Sequence, residues 1–360
     1  MPQDNAKELI SAARRGIVFA WYRPTPPFFM GGAEVSMRLL AEKLAAYGFH
    51  VTCFGSYTHP RIPSRNQLDE FCLRLNDLSI DFSLRGLTLE YSYGGMDCRM
   101  VPAPMVLSAI EIGKQTDVVF TAQENSDEVV KLARRQHVRT IGWIHSVSAV
   151  GFLALQADPT HVLYTSEFVR RRGVELFGRD GFVFYPPFRS PITIRDCKRV
   201  SITLVNPVPA KGLEIFVALT DIFQHRRFVA VEGWEPVRLG RKLLDRNVRY
   251  VRQQSTLDGI LSQTRLLLVP SEVEEGFGRV VTEAGLYGIP SIASARGGLV
   301  EAVGRGGILV ESRDIRHWAD AIQYLDDDGR YQEYSDLAKQ HATTFLRDPV
   351  RELIDAGILV

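Results

Sequence analysis

Residues 270–294, PSEVEEGFGRVVTEAGLYGIPSIAS, set two carboxylates on either side of a glycine-punctuated turn: Glu275 precedes Gly276, Phe277 and Gly278, and Glu283 follows after seven intervening residues. The apolar run at 265–269 reads as a buried strand, and helical periodicity resumes at about Arg279, which puts Glu283 near the second turn of a helix. Gly276 and Gly278 let the backbone approach a ligand closely, and the N–H groups at the helix start offer hydrogen bonds to oxygen atoms. Glu275 can accept from hydroxyl groups. At roughly 1.5 Å per helical residue, Glu283 lies about 7 Å further along the axis and reaches another part of the same molecule. Two carboxylates flanking backbone amides suit a polyhydroxylated ligand such as a sugar nucleotide, whose ribose and hexose each carry vicinal hydroxyls. For either glutamate alone the competing reading is an acidic side chain near the positive end of a helix, worth a few tenths of a kcal/mol.

Other residues could join that chemistry. In LVNPVPAKGL, residues 204–213, a strand ends, two prolines shape a turn, and Lys211 with Gly212 opens an amphipathic helix. A lysine there opposes the helix macrodipole and calls for an anion, such as a diphosphate, against the alternative of a solvated loop lysine. Gly31 and Gly32 stand between a Pro-rich stretch and the first helix, where they are either a second site for close backbone approach or ordinary turn chemistry. His145 ends the strand at 139–144 and should project at its carboxyl edge; Gln123, Glu124 and Asn125 follow the preceding strand at the same edge, as acceptor-binding groups or as a polar loop. Arg170, Arg171 and Arg172 suggest an anionic surface, but a solvated helix face is the expectation for so short a charge run. Asp326, Asp327 and Asp328 could gather a cation, but their place before Gly329 points to a solvated loop between two helices.

These residues are carried by alternating strands and helices. Apolar runs at 17–22, 50–55, 117–121, 139–144, 161–165 and 182–185 are separated by helical patterns, and a hairpin excursion is expected around Gly94 and Gly95. Three prolines within residues 185–191 break the pattern and mark a domain boundary. The alternation then restarts at 201–205, 227–231, 248–251, 265–269, 290–293 and 307–310, with helices near 315–325 and 331–345. The expected fold is α/β with two Rossmann-like domains: 1–188, 189–340, and a segment 341–360 that could return to the first. A net charge of +1 supplies no overall field for nucleic acid or an anionic bilayer. Cys53, Cys72, Cys98 and Cys197 lie far apart without a CxxC pair, so neither a zinc site nor a disulfide framework is signalled. No apolar run reaches a membrane span, and residues 1–15 lack a signal-peptide core, so the chain is expected to be cytoplasmic, with at most peripheral contact at the inner membrane face.

Glu275 and Glu283 within EGFGRVVTEA, followed by Gly288-Ile289-Pro290, resemble the E-x7-E motif of family 4 retaining glycosyltransferases. The resemblance implies the GT-B fold, two facing Rossmann-like domains with an inter-domain cleft, and transfer of a sugar from a nucleotide-diphosphate sugar, UDP-linked among others, with retention of configuration. Carried over, Glu275 touches the transferred sugar beside the amides of Gly276, Phe277 and Gly278, Glu283 holds the ribose, Lys211 the diphosphate, and His145 contacts the donor sugar. Gly31 and Gly32 form the other wall of the donor site. The family places an arginine shortly before the lysine, whereas this chain has Asn206-Pro207; Arg296 or Arg279 would have to replace it. Gln123 and Asn125 would serve a carbohydrate, lipid-linked or small-molecule acceptor. No metal or other cofactor is expected. The rival readings are a sugar-nucleotide epimerase of the same fold and a non-catalytic nucleotide-sugar-binding protein; no G-x-G-x-x-G follows the first strand, which places a dehydrogenase last.

Overall fold

The computed structural model describes residues 16–28, 31–58, 67–113, 115–192, 197–233 and 247–359. Residues 1–14, which from sequence read as a loosely held tail or a short docking helix, lie outside them. The chain divides into two compact units: residues 1–165, 170–187 and 348–360 form the first, and residues 166–169 and 188–347 the second.

Among the described residues the first unit is built on nine strands: β1 (Gly16–Ala20), β2 (His50–Ser56), β3 (Phe82–Arg85), β4 (Thr88–Tyr93), β5 (Met96–Val101), β6 (Thr116–Thr121), β7 (Arg139–Ile144), β8 (His161–Tyr164) and β9 (Phe182–Val183). Their order is β3-β4-β5-β2-β1-β6-β7-β8-β9. All are parallel except β4, which pairs antiparallel with both neighbours. β1 is buried along its whole length because the sheet is covered on both faces: Ile17 and Phe19 enter one core and Val18 and Ala20 the other. The expected hairpin is β4–β5, and β3 extends it to a third strand. Helices α1 (Gly32–Ala46), α2 (Gln67–Asp77), α3 (Val106–Ala109), α4 (Ser126–Arg135), α5 (Leu153–Gln156) and α6 (Glu167–Phe177) connect the strands.

The second unit has six parallel strands: β10 (Ser201–Val205), β11 (Arg227–Val231), β12 (Val248–Val251), β13 (Thr264–Val269), β14 (Ser291–Ser294) and β15 (Gly307–Val310), in the order β12-β11-β10-β13-β14-β15. Among the described residues its helices are α7 (Leu213–Ile222), α8 (Asp258–Leu261), α9 (Arg279–Leu286), α10 (Leu299–Val303), α11 (Ile315–Tyr324) and α12 (Asp328–Thr343). Asp326 and Asp327 stand exposed in the turn between α11 and α12, as expected. Asp328 starts α12, and the Asp327 carboxylate caps it by accepting from the Arg330 N–H, because aspartate is as good an N-cap as a turn former. A last helix, α13 (Pro349–Asp355), buries Val350 and Leu353 in the first unit's core.

In both sheets the strand order reverses at the centre, between β1 and β6 in the first and between β10 and β13 in the second. Ligands of open α/β sheets bind outside the carboxyl ends of the strands at such switch points.

Phe216 on α7 is fully buried and meets Phe228 edge-on at 5.5 Å in the second core. Phe216→Ala is expected to cost about 3–5 kcal/mol, read as a lower urea midpoint with unchanged slope.

Candidate functional site

At the second unit's switch point the turn after β10 is pressed onto the turn after β13. Asn206 adopts a left-handed conformation at φ +62°. Its N–H donates to the Val231 carbonyl at 2.8 Å. Lys211 does not open the helix, as the sequence suggested: it ends a 3-10 turn over Pro209–Lys211, and Gly212, left-handed at φ +80°, is the N-cap of α7. A Cβ at Gly212 would lie 2.0 Å from the Pro270 carbonyl oxygen, so only glycine admits this approach. The Glu272 N–H donates to the Ala210 carbonyl at 3.0 Å, tying the two turns together.

That contact delivers Lys211 to Glu275. The ammonium donates to the Glu275 carboxylate, with the two side chains 26% and 17% exposed, and the Ser271 hydroxyl donates to the same oxygen at 2.8 Å. The anion that the sequence reading required for Lys211 is therefore a neighbouring carboxylate, one that a phosphate could replace.

The loop after Glu275 rests on Gly297 and Gly298, which follow β14. The Gly298 N–H donates to the Glu275 carbonyl at 2.8 Å. A Cβ on Gly298 would come within 2.3 Å of the Gly276 carbonyl oxygen. Gly278, at φ +101°, is the N-cap of α9. Phe277 turns its ring away from this edge into an aromatic cluster with Phe345 at 5.1 Å and Phe188 at 6.3 Å, so only its backbone serves the turn. Glu283 pairs with Arg279 at 3.1 Å across one helical turn, and the Arg279 guanidinium stacks 4.6 Å over Phe188. Burial pushes the Glu283 carboxyl above the usual glutamate range, and Arg279 works against that rise. Arg296 joins the cluster through Nη1, which donates to the Glu272 carbonyl at 2.8 Å.

The first unit's switch point carries a corresponding arrangement. Arg23, just beyond β1, reaches the Glu34 carboxylate through Nη1 at 2.6 Å. It also forks onto Glu124 beyond β6, with Nε at 2.9 Å and Nη2 at 2.7 Å. Glu34 accepts in addition from the Gly31 N–H at 2.7 Å. Gly31 is the extended N-cap of α1, and Gly32 is its first residue. Gln123 and Asn125 are left-handed at φ +63° and +53°. His145 directly follows β7, with its ring 4.5 Å from that of Trp143.

The structure thus gathers Lys211, Glu275, Gly276, Gly278 and Arg296 at one sheet edge, with Glu283 along α9. It gathers Gly31, Gln123 and Asn125 at another, with His145 one strand further on. Sequence reading missed Arg23, Ser271, Gly297 and Gly298. A glycine pair between a strand and a helix is the signal that singled out Gly31 and Gly32, and it would have found the last two.

The sequence model of the family described as Glycosyl transferases group 1 matches residues 202–328. D-inositol 3-phosphate glycosyltransferase of Corynebacterium aurimucosum is 41% identical over 113 residues, 30% of this chain and 27% of that protein. The enzyme of the same name from Nocardioides is 31% identical over 139 residues, 38% of this chain and 28% of that protein. The aligned stretch thus spans little more than a quarter of either relative. Among solved structures, sucrose-phosphate synthase from Thermosynechococcus elongatus superposes with a TM-score of 0.70 at 21% identity, covering 95% of this chain and 100% of that one. Anabaena HepE in complex with UDP and glucose gives 0.69 at 16% identity, covering 96% and 99%. The chain has the GT-B fold, two parallel-sheet α/β domains in one polypeptide.

Gly212→Ala combines an unfavourable φ with a backbone clash, and it should destabilise the second unit by about 2 kcal/mol or more in urea unfolding. Glu283 binds its proton more tightly folded than unfolded, so its contribution to stability falls as pH rises from the ordinary glutamate value to the raised one. Carboxyl-carbon NMR should place its midpoint above 4.5, higher still in Arg279→Ala, and Glu283→Gln should flatten stability over that window.

Proposed function

We propose that this chain is a glycosyltransferase that moves a sugar, a hexose by preference, from a nucleotide-diphosphate sugar to an acceptor hydroxyl with retention of configuration. The observation that carries the reading is the Lys211–Glu275 pair at the β10/β13 switch point, beside the N-terminus of α9 and inside the segment that matches the group 1 glycosyl transferases. A donor diphosphate takes Lys211 from Glu275, and Glu275 is then released to accept from hydroxyls of the transferred sugar. Glu283 accepts from the ribose. As the bond to the diphosphate breaks, charge grows on the leaving oxygen, where Lys211 and the amides after Glu275 stabilise it. That work needs no resident metal. Arg296 supplies the second cation in place of the arginine replaced by Asn206-Pro207. In the first unit Gly31 and Gly32 back the donor, His145 contacts its sugar, and Gln123 and Asn125 bind the acceptor. UDP-glucose, which HepE holds in its crystal structure, is the first donor to test.

Thermal-shift and turnover assays across UDP- and GDP-hexoses test this proposal. Lys211→Ala and Glu283→Ala should weaken nucleotide-sugar binding about tenfold or more, the loss of one charge-assisted or bidentate contact. Glu275→Ala should lower turnover more than affinity, since its contact strengthens as charge develops on the sugar ring. Unaltered kinetics in all three variants would remove the assignment. Conversion of the donor with no acceptor present would mark an epimerase, and tight binding without hydrolysis or transfer would mark a binding protein.

A further inference from the structure

The loop after Glu275 is held by its carbonyl oxygens. A trans peptide is planar, so its C=O and the following N–H point in opposite directions, and fixing one aims the other. The Glu275 carbonyl accepts from the Gly298 N–H at 2.8 Å, which turns the Gly276 N–H away from α10. The Gly276 carbonyl accepts from the Ser166 hydroxyl at 2.5 Å, which turns the Phe277 N–H away from Ser166.

Ser166 is itself fixed. It is fully buried, and residues 166–169 belong to the second unit although most of α6 belongs to the first. Its oxygen accepts the Val169 N–H at 3.1 Å, so the remaining proton is available to Gly276. The Glu301 carboxylate on α10 accepts the Glu167 and Phe168 N–H groups at 2.9 and 2.6 Å, seating this first turn of α6 on the same unit. The Phe277 ring, packed on Phe345, prevents the peptide from rotating about its far end.

We infer that Ser166 is a positioning residue for sugar transfer: by holding the Gly276 carbonyl, its hydroxyl fixes the course of the turn that carries Glu275. The role rests on the glycosyl-transfer reading above. It requires a hydroxyl that both accepts from Val169 and donates to Gly276, which threonine supplies, alanine lacks, and aspartate supplies only in half.

The test compares wild type with Ser166→Ala, Ser166→Thr and Ser166→Asp, following turnover of UDP- and GDP-hexoses alongside melting temperature. A displaced turn should lower kcat by about ten- to a hundredfold in the alanine variant. KM for the donor should stay within about threefold, and threonine should restore kcat. Aspartate keeps the cap of α6 but sets a buried carboxylate against the Gly276 carbonyl, so it should lose kcat and lower the melting temperature as well; the threonine variant carries the test if the alanine variant does not fold, and a folded threonine enzyme without kcat would overturn the role. Wild-type kcat in the alanine or the aspartate variant, with the wild-type enzyme active, would overturn the role of Ser166 alone. A wild-type protein that turns over none of these sugar nucleotides would overturn the transferase reading and this role together.

Discussion

The close approach of the β10 and β13 turns is the constraint on which the candidate donor site depends. Two parallel neighbours bring their carboxyl ends to one edge, but they bring Lys211 to Glu275 only because Gly212 has no side chain to hold it off the Pro270 carbonyl. Once the turns touch, the remaining geometry follows: Ser271 shares the Glu275 carboxylate, Glu272 is tied to Ala210, and the loop that follows settles on Gly297 and Gly298. The first unit solves the same problem with other residues. There Arg23 crosses from the β1 end to Glu124 at the β6 end, so a cation from one turn meets a carboxylate from the other at each switch point.

A partly buried ion pair adds little net stability, because desolvation offsets most of the attraction. It does fix where two charges stand. Lys211 and Glu275 face one another at an edge where both remain partly exposed, so an incoming anion can compete for the ammonium without unfolding anything. In the proposed donor complex, exchange of that partner couples the two ends of the donor: occupation of the phosphate position alters what Glu275 can bind. Glu283 differs in kind. Its carboxyl is held by Arg279 within the same helix, and its burial makes the charged form costly unless hydroxyl donors reach it.

Much of this was legible in the sequence because parallel strands covered on both faces read as unbroken apolar runs, as at 17–20 and 266–269. The glycines around Phe277 were legible for a similar reason, since their punctuation between strand and helix has few other uses. β3 was not visible: three of its four residues are exposed at the sheet edge, which leaves no apolar signal. The start of α12 was misread because Asp-Asp-Gly serves a helix cap as well as a turn. The pairs that fix the two edges were beyond local reading altogether. Arg23 and Glu124 are 101 residues apart, and Ser166 and Gly276 are 110 apart, so neither pair leaves a trace in spacing or periodicity.

The most direct measurement is a crystal structure of the chain with UDP-glucose or whichever sugar nucleotide stabilises it most. The account predicts the Lys211 ammonium on the diphosphate, the Glu275 carboxylate on hydroxyls of the sugar, and Glu283 on the ribose. A donor bound elsewhere, with Lys211 still paired to Glu275, would contradict it.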